Sequence, residues 1–280
     1  MDKLLIVDGS NLLFQMFYGM PTRIMGHHGR CIHGTIGFVG ALLKIIRMVE
    51  PTHVAVLFDG ECASERTELD PDYKANRPDY SGMNEDDLPF SQLPDICLAL
   101  DHLGIRWRET SNCEADDWIA GYAREYGMTT DLVIVSQDSD FFQLISHGVK
   151  ILRYRGSNSI LWDEAYLQEK LGILPCQYAA YKALTGDTAD NIRGVPKVGP
   201  KTAAALMGQF GDLDALLQRT EEIVKPSVRE SVRSSVERIR LNHRLIRLTG
   251  ADVLPFSLEE LAFSLPDVTS TQILRKLGIL

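Results

Sequence analysis

The sequence predicts an α/β fold, with a mostly parallel central sheet flanked by helices and a helical region after it. Three observations predict it. Residues 4–7, 54–58 and 132–135 are uninterrupted apolar runs, the signature of strands buried on both faces. Each run stops on acid, at Asp8, at Asp59, and at Asp138 with Asp140. From about residue 175 onward, helical spacing replaces these runs.

The elements follow in order. Residues 4–7 are the first strand, and Asp8, Gly9, Ser10 and Asn11 begin where it should end. Residues 33–49 carry helical periodicity through Ile36, Val39, Leu42, Leu43 and Ile46, and Pro51 stops it. The second strand, 54–58, runs into Asp59-Gly60. In open parallel sheets the functional crevice lies outside the carboxyl ends of the strands. Residues 61–95 then change character: apolar residues thin out while charge, Pro and Gly rise. The plain reading is a surface loop, but an insertion of this length in a compact domain is often functional. Residues 88–103 recover helical spacing, and 105–108 read as a short strand leading to Glu114-Ala115-Asp116-Asp117. An apolar helical run (Trp118, Ile119, Tyr122) follows. Beyond the third strand, 150–154 and 159–162 are shorter strand candidates. Asp163 is a good N-cap for a helix over 164–171, with Gly172 just past its end. Further on, Gly194 and Gly199 bracket a tight turn and Pro200 opens a helix, a helix-hairpin-helix in outline. Backbone N–H groups at such a hairpin suit a phosphate. The last forty residues carry no chemical signal.

Glu114, Asp116 and Asp117 crowd three carboxylates into four residues. They repel, and raise one another's pKa unless a cation intervenes. Glu114 and Asp117, three apart, would share a helix face. Alone, the cluster is explained by an acidic first turn, which the helix dipole favours. The whole set is harder to explain that way. With Asp8, Asp59, Asp138 and Asp140 it makes seven carboxylates around one sheet edge, and Asp187 and Asp190 add two more from the helical side. Oxygen donors without His or Cys suit hard cations, Mg²⁺ or Mn²⁺. This number exceeds what one hydrated Mg²⁺ needs, and two ions ~4 Å apart form the usual clamp for in-line phosphodiester cleavage.

Composition sets limits. The formal net charge of −9 argues against nucleic acid at first sight, but nine acids belong to this set, so the rest of the chain is formally neutral. Net charge therefore decides nothing about phosphate binding. No run approaches the ~18 apolar residues of a membrane span, and no signal peptide is recognisable. Five scattered cysteines form no CxxC pair and no zinc set. A cytoplasmic monomer is expected, with no membrane association and no evident protein partner. Trp107, Trp118 and Trp162 read as packing residues, His27 and His28 as part of a solvated turn, and Arg229, Arg233, Arg238 and Arg240 as a solvated helix face.

One family carries the same motifs in the same order. Strand-end Asp8, Phe58-Asp59, Tyr73-Lys74-Ala75-Asn76-Arg77, Glu114-Ala115-Asp116-Asp117, Asp138-Ser139-Asp140, Gly186-Asp187-Thr188-Ala189-Asp190-Asn191 and the hairpin from Gly194 to Ala203 resemble the bacterial and phage 5′→3′ exonucleases and flap endonucleases. That family includes the N-terminal nuclease domain of bacterial DNA polymerase I, and the resemblance covers roughly residues 1–210. It implies a PIN-like or Rossmann-like nuclease core over residues 1–174, with an arch-like insertion at about 61–95, and a helix-hairpin-helix DNA-binding region over 175–280. The implied activity is that of a stand-alone, structure-specific nuclease hydrolysing DNA at 5′ ends or flaps with two Mg²⁺ or Mn²⁺ ions. Asp8, Asp59, Glu114 and Asp116 would surround one ion and Asp138, Asp140, Asp187 and Asp190 the second, some through water, with Asp117 in either shell. Lys74 and Arg77 would meet the scissile phosphate at the arch base, and Tyr73 would stack on a base. Gly194, Val195, Lys197, Val198, Gly199, Lys201 and Thr202 would grip the duplex backbone, with hairpin carbonyls holding a K⁺ ion. Gln137 and Ser139 stand where the family usually has Gly and Lys, and Arg193 where it has Pro; none is an implied ligand. The alternatives are a PIN-type ribonuclease, disfavoured by the hairpin and the insertion, and a non-catalytic DNA-junction-binding protein, disfavoured by the complete carboxylate set.

Overall fold

A six-stranded sheet is built from β1 (Lys3–Asp8), β2 (His53–Phe58), β3 (Arg106–Glu109), β4 (Asp131–Val135), β5 (Val149–Arg153) and β6 (Ile160–Trp162), in the spatial order β3-β2-β1-β4-β5-β6. The computed structural model describes residues 2–27, 29–60, 65–77, 82, 84, 87–111 and 113–280. β1 pairs in parallel with β2 and β4, β2 with β3, and β4 with β5; β6 returns antiparallel to β5, so the sheet is mixed.

Helices on both faces explain why the central strands are apolar without alternation. Side chains alternate across a strand. Leu5 and Val7 of β1 pack with residues of α1 (Gly9–Gly19), α2 (His33–Val49) and α4 (Leu93–Leu103), while Leu4 and Ile6 face α5 (Ala115–Tyr126) on the other side. α3 (Glu65–Leu69) lies between α2 and α4 in the chain, inside the insertion. α2 ends at Val49, with Glu50 in the left-handed region before Pro51.

α1 has no counterpart among the elements that the sequence pattern predicts. It starts on the residue after β1, and Asp8 is its N-cap, accepting from the Asn11 N–H at 3.0 Å. The polar residues after the first strand thus open a helix rather than a loop. Gly9 lets the helix start this close to β2, because a Cβ there would lie 2.5 Å from the Phe58 ring.

α6 (Glu164–Leu171) is capped by Asp163, as expected. α7 (Tyr178–Thr185) then leads into a two-stranded ribbon of β7 (Gly186–Asp187) and β8 (Ile192–Arg193). A turn follows, and then α8 (Pro200–Phe210), α9 (Leu213–Gln218), α10 (Pro226–Ser234) and α11 (Val236–Ile246). Where the chain leaves the ribbon it crosses its own entry: a Cβ on Gly194 would lie 2.2 Å from the Thr185 carbonyl oxygen. Buried Asn242 of α11 holds this crossing, donating to the carbonyls of Ala183 (3.0 Å) and Arg193 (2.8 Å).

The last forty residues, silent in the sequence, return to the α/β layer. Arg124 of α5 donates to the carbonyls of Thr249, Gly250 and Ala251, and the Ala251 N–H donates to the Asp117 carbonyl at 2.7 Å. The Phe263 N–H bonds to the Thr52 carbonyl at 2.8 Å, and α12 (Ser270–Lys276) packs on α2 and α4. No helix among the described residues is long and apolar enough to cross a membrane.

Candidate active site

The carboxyl ends of β1, β2 and β4 and the start of α5 converge on one edge of the sheet. Asp8 is 5% exposed; besides capping α1 it accepts from the Ser136 hydroxyl at 2.7 Å. Asp59 accepts from the Ala115 N–H at 2.8 Å, which ties the end of β2 to the first turn of α5. Glu114 precedes that turn, and its N–H donates to Asp117 at 3.3 Å. Beyond β4, Asp138 accepts from the Asp140 N–H at 2.8 Å. Asp187 ends the short strand β7 and accepts from the Ala189 N–H at 2.8 Å. The ligand atoms of Asp140, Asp187 and Asp190 lie within 4.8 Å of one another.

Among the described residues, four cations enter this cluster. Lys74 reaches Glu114 Oε2 at 3.0 Å and Arg77 reaches Asp190 at 3.2 Å. The other two were not anticipated. Arg66 of α3, 9% exposed, pairs with Glu114, and lies 3.3 Å from Asp117 and 4.0 Å from Asp116. Lys182 of α7 pairs with Asp187 and lies 3.8 Å from Asp140. Lys182 had a readable signal, since it precedes Asp187 by five residues on a helix that runs into the acidic turn. Arg66 had none, being one charge among many in the insertion.

Burial dominates the electrostatics. It pushes the Asp8 carboxyl up to about 7, with repulsion from Asp59 second, and Asp140 up to about 8, with Asp138 second. Burial, then Asp138 and Asp59, hold Asp116 well above the usual carboxylate range, and burial raises Asp138 as well. Oδ1 of Asp140 is buried without a hydrogen-bond partner. A buried carboxylate oxygen without a hydrogen bond is costly; Lys182, 3.8 Å away, offsets part of that cost, and two further aspartates stand beside it. A set of hard oxygen donors arranged in this way fits a divalent cation.

These shifts set a pH dependence. The folded protein keeps protons on Asp8 and Asp140 up to about pH 7 and 8, whereas the unfolded chain sheds them near 3.8, the ordinary value for an aspartate. Stability contributed by these protons is complete below the unfolded pKa and is lost as pH rises through the folded values. Thermal melts in EDTA should therefore show a midpoint that falls between pH 5 and 8, less steeply in an Asp8→Asn, Asp140→Asn protein. Stabilisation by added Mg²⁺ should grow over the same range, because the ion displaces those protons. Parallel pH profiles for the parent and the variant in EDTA would count against this account.

Other expected residues fall out differently. The Tyr73 ring is 4% exposed, packed in a cluster with Ala179, Ile192, Leu245 and Ile246. The side chains of Val195 and Val198 turn into the core, 4% and 5% exposed, which leaves only their backbones for a ligand. Lys197 and Lys201 are exposed on the turn and at the start of α8, Gly199 is the N-cap of α8, and Thr202 is half-buried in its first turn. Gln137 joins three strand ends: its N–H donates to Asn11, its carboxamide to the Tyr154 carbonyl, both at 2.9 Å, and its own carbonyl accepts from Arg153 at 2.6 Å. Much of the expected arch (residues 61–64, 78–81, 83, 85 and 86) lies outside the described residues, as does His28.

A mixed sheet whose carboxyl edge gathers oxygen donors, with Asp140, Asp187 and Asp190 close together among the described residues, defines a class of protein able to hold a divalent cation. The comparisons narrow that class. Residues 3–172 match the 5′-3′ exonuclease N-terminal resolvase-like domain and residues 173–269 the 5′-3′ exonuclease C-terminal SAM fold. The chain belongs to the 5′-3′ exonuclease family. It is 37% identical to DNA polymerase I of Rhizobium leguminosarum over 93% of its own length and 26% of that protein's, and 33% identical to the thermostable DNA polymerase I of Thermus aquaticus over 88% and 28%. The chain thus spans little more than a quarter of these relatives. Among solved structures, T5 5′-exonuclease with bound zinc shares the fold at a TM-score of 0.73 and 23% identity, over 98% of both chains. The T5 D15 flap endonuclease, solved as a pseudo-enzyme-product complex with DNA and metal ions, shares it at 0.72 and 23%, over 88% of this chain and 89% of that one.

Proposed function

We propose that this chain is a structure-specific 5′ nuclease that hydrolyses DNA phosphodiester bonds at 5′ ends and flaps. The observation that carries the reading is the meeting, at one sheet edge, of strand-end and helix-start carboxylates with a second group delivered from the helical side, Asp187 and Asp190 beside Asp140. Asp8, Asp59, Glu114 and Asp116 would hold one Mg²⁺ or Mn²⁺, Asp138, Asp140, Asp187 and Asp190 would hold a second, and Asp117 would serve either. When bound, such a pair activates water and neutralises charge developing on a phosphate. The chain's own cations do the rest. Lys74 and Arg77 exchange their carboxylate partners for the scissile phosphate and stabilise its added charge. Residues 1–174 carry the chemistry in a PIN-like or Rossmann-like core. Residues 175–280 would grip the duplex through Lys197, Lys201, Thr202 and the backbone of Gly194, Val195, Val198 and Gly199, whose carbonyls would hold a K⁺ ion. Such contacts position the duplex without reading its sequence. The DNA and metal ions bound by the T5 flap endonuclease, a protein of the same fold, support the reading.

The test is a labelled 5′-flap DNA incubated with Mg²⁺ and resolved by product length, beside an unstructured RNA of the same sequence. Cleavage near the flap junction, with little on the RNA, is expected. RNA cut in preference would make the chain a ribonuclease, and binding without any cleavage would make it a junction-binding protein.

A further inference from the structure

We infer that Asn76 and Asn191 are positioning residues, a reciprocal staple that docks the base of the insertion onto the Asp187–Asp190 turn and so aims Lys74. The inference rests on the reading of Lys74 given above. Two segments more than a hundred residues apart in sequence exchange hydrogen bonds in both directions. Asn76 Nδ2 donates to the Thr188 carbonyl at 2.8 Å, and Asn191 Nδ2 donates back to the Asp72 carbonyl at 2.7 Å. Between them the Lys74 N–H donates to the Asp190 carbonyl at 3.0 Å.

The backbone shows what this docking holds. Lys74 and Asn191 are both left-handed, each with φ of 58°. Asn tolerates that region because its short side chain bonds locally, but Lys has no such compensation. Lys74 stays there because both flanks are pinned: Asn76 and Asn191 bond across the junction, and the Tyr73 ring is buried among Ala179, Ile192, Leu245 and Ile246. With the flanks pinned, the ammonium points at Glu114, 3.0 Å away. Without them Lys74 would relax toward ordinary φ values and its side chain would leave the site. The staple thus joins the two carboxylate groups mechanically, since one residue bonds Asp190 through its backbone and Glu114 through its side chain.

Trypsin reports on the docking without DNA. Arg77 precedes Pro78, a bond trypsin does not cut, so cleavage in this stretch reads Lys74–Ala75 alone. Asn191→Gly keeps the left-handed backbone while removing the carboxamide, and Asn76→Ala removes the other arm. Each lost hydrogen bond should raise the open population, and with it the cleavage rate at Lys74–Ala75, about fivefold. The unfolding midpoint should stay near the parent's. Each variant should slow single-turnover flap cleavage about fivefold while the dissociation constant in Ca²⁺ changes little. In a Lys74→Ala background the same changes should cost under about twofold, because they act through the residue already removed. Unchanged trypsin cleavage in both variants would overturn the staple. Losses fully additive with Lys74→Ala would overturn the positioning role. A Lys74→Ala protein with the parent's rate would reject the reading of Lys74 itself, and this inference with it, while the trypsin rates would still show whether the segment is docked.

Discussion

Replacing Asp187 and Asp190 together by Asn is expected to abolish cleavage while leaving DNA binding in Ca²⁺ largely intact. Both come from the ribbon and turn between α7 and α8, so they complete from the helical side a group that the sheet only half builds with Asp140. Asn matches Asp in shape. The bond from the Ala189 N–H to Oδ1 of residue 187 survives, and the fold should too. Two negative charges are lost, however, and with them the reason for a divalent ion to settle beside Asp140. Arg77 would also lose its partner, and Lys182 would keep only Asp140, 3.8 Å away. Removing one preorganised electrostatic contact typically slows catalysis 10²–10³-fold, so the double change should exceed about 10³-fold in single-turnover rate. Binding should persist because phosphate contacts are spread over many residues. Turnover within a few-fold of the parent would remove these two residues from the mechanism.

What could be read in the sequence was whatever leaves a local pattern. A strand buried on both faces must be apolar throughout, which made residues 4–7, 54–58 and 132–135 plain. The aspartates after them were plain because polarity changes abruptly at a sheet edge. A cap leaves a local mark as well, so Asp163 could be placed. α1 was missed because its cap, Asp8, sits on the last residue of a strand, and the capping pattern was masked by the strand-end pattern. Long-range partnerships leave no local mark. Nothing near Arg66 says that it will be buried against Glu114, and nothing near Tyr73 says that the ring will pack against α7 and α11. The Tyr73-Lys74-Ala75-Asn76-Arg77 motif was recognisable as a unit, but its backbone geometry, with a left-handed lysine in the middle, depends on a turn over a hundred residues away. The C-terminal return was silent for the same reason: its apolar residues join cores laid down by distant parts of the chain, Ile273 and Leu274 on one face of the sheet, Phe256 and Leu261 on the other.

Lys74→Ala is expected to slow single-turnover cleavage of a 5′ flap strongly while its dissociation constant in Ca²⁺ shifts only modestly. The side chain is 18% exposed, so this is not a solvated loop lysine whose removal would pass unnoticed. Its ammonium stands 3.0 Å from Glu114 and 4.8 Å from the centre of the Tyr73 ring. In the free protein it serves as a counter-ion to a carboxylate; on the proposed mechanism the scissile phosphate, where charge builds in the transition state, takes it over when substrate binds. A cation aimed there stabilises the transition state more than the ground state. Its loss should cost roughly 10²-fold or more in rate. Ground-state affinity, shared among the hairpin and other phosphate contacts, should change far less. Lys74→Arg should recover only part of the rate, because a planar fork held at a left-handed backbone position cannot place its charge where an ammonium does. A matched loss of rate and affinity in Lys74→Ala would make this a plain binding residue, and no loss in either would return the segment to a surface loop whose docking has no bearing on chemistry.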